Sequence, residues 1–120
     1  MTHINQLEQG FREAFLWVND IDDHSIYDIS DCTNQMIDIL ISDFLLLLNN
    51  EEIKELEKQP TQFGHWLALT SGGHGAGFFD GENEIVQGID SKLDDNKLLR
   101  HECAYIDDGI IYADFYSYGK

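Results

Sequence analysis

The sequence is poor in basic residues. Only 7 lysines and arginines stand against 23 aspartates and glutamates among 120 residues, which gives a formal net charge of -16. A chain with so few cations cannot neutralise a row of phosphates, and this excludes ordinary groove binding to DNA or RNA and docking onto an anionic lipid surface. Any charged partner of this protein should therefore be basic.

Cysteine and long apolar runs are also scarce. Cys32 and Cys103 fit no zinc-ligand spacing and are too few for a disulfide framework. The most apolar run, residues 44–48, is far shorter than the roughly 20 residues that cross a bilayer. Residues 1–9 lack the basic and apolar regions of a signal peptide. We therefore expect a cytoplasmic protein.

Apolar residues recur at three- and four-residue steps through the first half of the chain. This period predicts helices over about 3–18, 30–48 and 51–58, with an acidic connector over 19–31. Ser30 or Asp31 is expected to cap the second helix. Pro60, the only proline, is expected to close the helical half.

The second half of the chain predicts a sheet. Residues 66–70 and 76–79 are expected to form strands joined by a glycine-rich turn, and a rougher helical period covers about 85–100. Asp108-Gly109 predicts the turn of a second hairpin over 103–116. The sequence thus predicts one α+β domain, residues 1–120, in which N-terminal helices pack on a small antiparallel sheet of two β-hairpins.

Residues 63–80 read Phe-Gly-His-Trp-Leu-Ala-Leu-Thr-Ser-Gly-Gly-His-Gly-Ala-Gly-Phe-Phe-Asp. This segment resembles a family of small bacteriophage proteins that carry a Gly-His, Leu-Thr and Gly-His-Gly-Ala-Gly-Phe-aromatic-Asp motif, and residues 105–112 are similar to the family's closing acidic hairpin. The chain differs at 66–68, where an Asp and two aromatic residues are more usual, and at 71–72, where Arg-Asn is more usual. The resemblance implies a phage accessory protein in a bacterial cytoplasm and names no reaction.

The excess of acidic over basic residues suggests that the protein mimics DNA. A domain of this length is about 35 Å across, and that length of duplex carries about 20 phosphates. Residues 1–60 hold a net charge of -10 and residues 61–120 hold -6. Together with what the phage resemblance implies, this charge leads us to expect a non-catalytic inhibitor, without metal or cofactor, whose helical half occupies the basic groove of a host defence complex such as a CRISPR effector or restriction enzyme. The candidate partner-binding residues are Asp20, Asp22, Asp23, Asp28, Asp31, Asp38, Asp43, Glu51, Glu52 and Glu55.

Other interpretations stay open. Acidity alone keeps a small protein soluble and monomeric, without any partner. Histidine beside a carboxylate suits metal binding or general-base chemistry, so His65, His74, His101 and Asp80 are the candidates for a small enzyme or metal-binding protein. The aromatic residues near the end of the chain either pack a sheet face or form an interface patch with some rings outward; they are Tyr105, Tyr112, Phe115, Tyr116 and Tyr118.

Overall fold

The computed structural model of the chain describes residues 2–21, 28–72, 77–78, 81, 83–96 and 98–117. Across these ranges it contains five helices and one antiparallel hairpin, which confirms the α+β class and shows that the prediction of two hairpins is wrong. No helix in these ranges is both long enough and apolar enough to cross a bilayer. The elements are α1 (Thr2–Trp17), α2 (Asp31–Leu47), α3 (Asn50–Lys58), α4 (Pro60–Ser71), α5 (Glu84–Asp95), β1 (Leu99–Asp107) and β2 (Ile110–Ser117).

Side-chain caps set where α2 and α3 begin. The Ser30 hydroxyl accepts a hydrogen bond from the Thr33 amide at 3.0 Å, as predicted for the start of α2. At α3 the Asn49 side chain accepts from the Glu52 amide, and the Glu52 carboxylate accepts from the Asn49 amide, each at 2.9 Å. This reciprocal pair is a capping box, so two amides that would otherwise lack partners are satisfied.

Helices α1 and α4 pack with their backbones in direct contact, and two glycines make this possible. A Cβ atom on Gly64 of α4 would lie 2.6 Å from the Phe11 amide nitrogen of α1. A Cβ atom on Gly10 of α1 would lie 2.5 Å from the Thr61 carbonyl oxygen of α4. Real side chains do not approach so closely, so this crossing requires glycine at both positions.

The predicted strand over 66–70 is wrong, because these residues lie in the C-terminal half of α4. The prediction that Pro60 closes the helical half is also wrong, because Pro60 occupies the first turn of α4, where its fixed φ favours a helix and its missing N–H costs nothing. A short apolar run cannot distinguish a buried strand from a buried helix by its period. Gly77 and Phe78 lie outside any strand, and the rest of the predicted turn and return strand falls outside the described residues.

The C-terminal hairpin is confirmed, with β1 beginning four residues earlier than predicted, at Leu99. Its turn is Asp108-Gly109, and both residues have positive φ, 53° and 79°, as the sequence pair predicts. The register is interrupted by a bulge between Glu102 and Tyr105. The Ser30 amide donates to the Ile111 carbonyl at 2.9 Å, which attaches the hairpin to the segment before α2.

One hydrophobic core lies between the helices and the inner face of the hairpin. The predicted helix over 85–100 exists but ends at Asp95, and Gly88 lies within it. It contributes Val86, Ile89 and Leu93 to this core. Five phenylalanines are fully buried there: Phe11, Phe15, Phe44, Phe63 and Phe78.

Candidate functional site

Most of the few cations make contacts inside the fold. The Arg12 guanidinium of α1 donates to the Asn34 side chain and to the Asp38 carboxylate of α2, both at 2.9 Å. The Lys92 ammonium of α5 donates to the Leu47 carbonyl at 3.1 Å and to the Glu52 carboxylate at 2.5 Å. These two cations join helices that are far apart in sequence, so their charge stabilises the fold.

Two further cations also bind acceptors within the fold, Lys58 within its own helix and Arg100 on a different element. Lys58 donates to the Glu55 carboxylate at 2.9 Å, and Arg100 of β1 donates to the Thr70 carbonyl at 3.3 Å. Four of the five basic residues in the described ranges therefore contact acceptors within the molecule. Only three acidic side chains of the described residues lie within 3 Å of a cation; they are Asp38, Glu52 and Glu55.

Two of the ten candidate partner-binding residues are structural. Glu52 is 5% exposed and completes the capping box as well as pairing with Lys92. Glu55 is 8% exposed, and its carboxylate accepts from Lys58 and, at 2.6 Å, from the Asn83 side chain. The hydrogen bond from Lys58, followed by that from Asn83, holds the pKa of Glu55 below its ordinary value. Neither carboxylate presents charge to a partner.

The remaining candidates do not form a single face. Asp31 and Asp38 are seven residues apart on α2 and share one side of it, but Asp38 is paired with Arg12. Asp43 is five residues beyond Asp38, which turns it about 140° around the helix axis. Asp22 and Asp23 lie outside the described residues. The candidates that are both exposed and in none of the ion pairs found in the described ranges are Asp20, Asp28, Asp31, Asp43 and Glu51.

The outward side of the hairpin carries both tyrosines and carboxylates. Side chains of paired residues lie on the same side of an antiparallel sheet, and every second residue along a strand shares that side. Ile111 is fully buried and Ala113 and Phe115 are partly buried, so β2 turns its odd-numbered residues inward. We call the opposite side the hairpin outer face; it consists of Arg100, Glu102, Tyr105, Asp107, Ile110, Tyr112, Asp114 and Tyr116. Arg100 is the cross-strand partner of Tyr116 at one end of this face, and its guanidinium donates to the Thr70 carbonyl of α4.

Two tyrosine rings of the hairpin outer face stack across the strands, and two of its three tyrosines are exposed. Tyr105 and Tyr112 are cross-strand partners whose rings stack with centroids 5.5 Å apart and planes 21° apart. Tyr105 is 53% exposed, Tyr116 41% and Ile110 38%. The tyrosines were among the predicted interface residues, and the acids between them were not. The alternation of residues 110, 112, 114 and 116 was the signal that connects the two sets.

The histidine candidates have different surroundings. His65 lies on α4 against the Trp17 ring, with centroids 4.6 Å apart, and its Nε2 is 3.8 Å from the Glu13 carboxylate. Burial lowers the pKa of His65, and the nearby Glu13 carboxylate opposes that shift. His101 is buried, with its Nε2 3.0 Å from the Ala68 carbonyl oxygen.

The described residues contain no group of three or more histidine, cysteine, aspartate or glutamate side chains arranged to hold a metal ion. His101 is enclosed by aromatic rings of Phe11, Phe15 and Phe115, at centroid distances of 5.8, 5.1 and 6.1 Å. His74 and Asp80 fall outside the described residues. The histidine-centred alternative therefore gains no support from the geometry of His65 and His101.

Comparison with known proteins found no protein-family model, no curated protein and no solved structure that matches this chain. The resemblance of residues 63–80 to a phage family therefore stays a prediction. Gly64, the first glycine of that motif, has a packing role in this structure, where it allows α4 to contact α1.

Proposed function

We propose that this protein is a non-catalytic inhibitor that binds the basic DNA-binding groove of a bacterial defence complex, of the CRISPR effector or restriction type, in place of DNA. One observation carries the proposal: among the described residues, internal contacts occupy four of the five cations, while most acids stay at the surface. The negative potential outside the molecule is thus left unneutralised, and it attracts a basic groove over several ångströms.

The dimensions of the molecule support the same proposal. Its longest extent is 43 Å, and a duplex of that length carries about 25 phosphates. The net charge of -16 is of that order. The exposed and unpaired candidates Asp20, Asp28, Asp31, Asp43 and Glu51 provide part of this charge. The identity of the partner as a host defence complex comes from the phage resemblance alone.

A competition experiment tests the proposal. A labelled duplex bound to each of several purified CRISPR effectors and restriction enzymes is titrated with this protein at low and at high salt. We expect displacement of DNA from at least one of them, weakening as salt rises, because an electrostatic contact is screened. Failure to displace DNA from any complex at low salt, in a panel broad enough to include those of the protein's own host, would overturn the proposal.

Two variants make the experiment specific. The first neutralises exposed acids as D20N, D28N, D31N, D43N and E51Q together, and we expect it to lose most of the displacement. The second changes exposed uncharged residues as Q35A, S42A and Q62A, and should displace DNA as the parent does. Asparagine tolerates the positive φ of 59° at position 20. Thermal unfolding of both variants checks that the fold is intact.

A further inference from the structure

The hairpin outer face combines exposed rings with exposed carboxylates. Single exposed apolar residues are ordinary on a protein surface, but contiguous ones mark interaction sites. Tyr105, Ile110 and Tyr116 are all at least 38% exposed and lie on one side of the same two strands. Tyrosine supplies a large and rigid contact area, and it is enriched at protein interfaces.

Two carboxylates of the hairpin outer face lie directly opposite each other. Glu102 and Asp114 are direct cross-strand partners, both are exposed, and neither takes part in an ion pair within the described ranges. Like charges in this position repel each other and weaken the hairpin. Asp107 adds a third exposed carboxylate on the same side. A cationic partner would relieve this repulsion.

The inner side of the hairpin holds this face in place. Ile111 is fully buried in the core, and its carbonyl accepts from the Ser30 amide at 2.9 Å. His101 of β1 is buried and its ring contacts the Ala68 carbonyl of α4. The outer face is therefore presented on an anchored element, so little conformational entropy is lost when a partner binds.

We propose that the hairpin outer face is a docking surface for an arginine-bearing basic segment of the partner protein. This rests on the proposed function and names the surface that the partner contacts. A guanidinium stacks on an aromatic face and also donates two parallel hydrogen bonds to a carboxylate, and this face offers both. A lysine ammonium lacks the planar fork and binds only as a point charge. Arginine is therefore the preferred side chain.

The test uses two synthetic probes, octa-arginine and octa-lysine, titrated into the full-length protein and followed by amide chemical shifts in NMR. We expect octa-arginine to bind more tightly and to shift the amides of β1 and β2 most. The Y105T/Y116T variant should remove the preference for arginine, a change of about two- to fivefold for each exposed cation–π interaction that the variant removes. The matched control is I106T, which alters an exposed residue on the other side of β1.

A charge-matched pair of variants distinguishes binding at the hairpin outer face from non-specific attraction of a cationic probe to the acidic surface as a whole. E102Q/D107N/D114N removes three acids from the hairpin outer face, and E57Q/E84Q/D95N removes three exposed acids that lie outside both this face and the candidate partner-binding residues. We expect the first to weaken octa-arginine binding about tenfold, as the loss of three exposed ion pairs implies, and the second to change it little. Equal effects of the two variants, or equal binding of the two probes, would overturn the docking proposal.

The DNA-competition experiment keeps the two proposals distinguishable. If the hairpin variants displace DNA as well as the parent does, the docking proposal fails and the proposed function stands. If the parent displaces no DNA from any complex while octa-arginine binds the hairpin outer face, the proposed function fails and the face is left as a site for another basic protein.

Discussion

Gly64 of α4 lies directly against the main chain of Leu7 in α1, and a side chain at position 64 would overlap the Leu7 carbonyl oxygen. The obstacle is backbone, which cannot turn aside as a flexible side chain can. The crossing of α1 and α4 therefore depends on this glycine.

Gly64→Ala should lower the free energy of unfolding by at least about 2 kcal/mol, because the helices must separate to admit a methyl group. Gly88→Ala is the matched control. Gly88 is an exposed residue of α5 with no atom within 4 Å of the position a Cβ would take, so alanine should raise the free energy of unfolding by about 0.5–1 kcal/mol. Urea unfolding followed by circular dichroism measures both changes. Equal stability of G64A and the parent would contradict the close contact.

The Lys92 ion pair provides a second prediction about stability. Lys92→Met keeps the length of the side chain and removes the cation that faces the buried Glu52 carboxylate. Loss of one partner of a buried pair costs about 3–5 kcal/mol, and the Asn49 amide, which still donates to Glu52, should reduce this to about 2–3 kcal/mol.

Lys54→Met is the control for this change, since Lys54 is exposed and belongs to none of the ion pairs found in the described residues. Its unfolding free energy should stay within about 0.5 kcal/mol of the parent. Thermal melts of the two variants, run side by side, compare them. Coincident melts would show that Lys92 contributes no more than a surface lysine.

Local sequence signals predicted the elements whose causes are local. The helical period and the caps at Ser30 and Asn49 account for α2 and α3, and Asp108-Gly109 accounts for the turn of the hairpin. The prediction of a strand over 66–70 was wrong because a short apolar run is compatible with either a buried strand or a buried helix. The packing of α4 against α1 decides between them. That packing joins residues more than 50 positions apart, which no local pattern reports.

The roles of the candidate site residues were also predictable only where their partners are close in sequence. Asn49 and Glu52 have the spacing of a capping box, so the structural role of Glu52 was readable from sequence. The role of Glu55 was not, because Asn83 approaches it from 28 residues away. The acids of the hairpin outer face share a side with the tyrosines because of the alternation along paired strands, but the larger net charge of residues 1–60 favoured the acids of the helical half.

His65 predicts a pH dependence of stability. Burial lowers its pKa in the folded protein below the unfolded value of about 6.5. The unfolded chain then binds more protons than the folded one between these two pKa values, so the free energy of unfolding rises with pH in that window. The contribution is complete above about pH 6.5 and is lost as pH falls toward the folded pKa.

Two variants isolate this effect. His65→Gln should remove the His65 part of the pH dependence, measured by urea unfolding at several values between about pH 5 and pH 8. Glu13→Gln removes the carboxylate that supports the imidazolium, so an NMR titration of the His65 ring should give a still lower pKa. A His65 pKa at or above the ordinary value in the parent would contradict the assignment of burial as the dominant cause.

The carboxylate pair on the hairpin outer face yields a prediction in which stability and binding change in opposite directions. Glu102→Lys replaces the repulsion across the strands with attraction to Asp114, and it should raise the free energy of unfolding by about 0.2–1 kcal/mol. The same substitution should weaken octa-arginine binding, because it places a cation where the guanidinium docks.

Asp107→Lys is the matched control. It makes the same change of charge on the same face, but its cross-strand partner is Ile110, so it should weaken binding without stabilising the fold. Urea unfolding and the NMR titration measure the two quantities on the same samples. If Glu102→Lys destabilised the protein, the two carboxylates would not be repelling each other, and the case for a cation as their natural partner would lose its energetic basis.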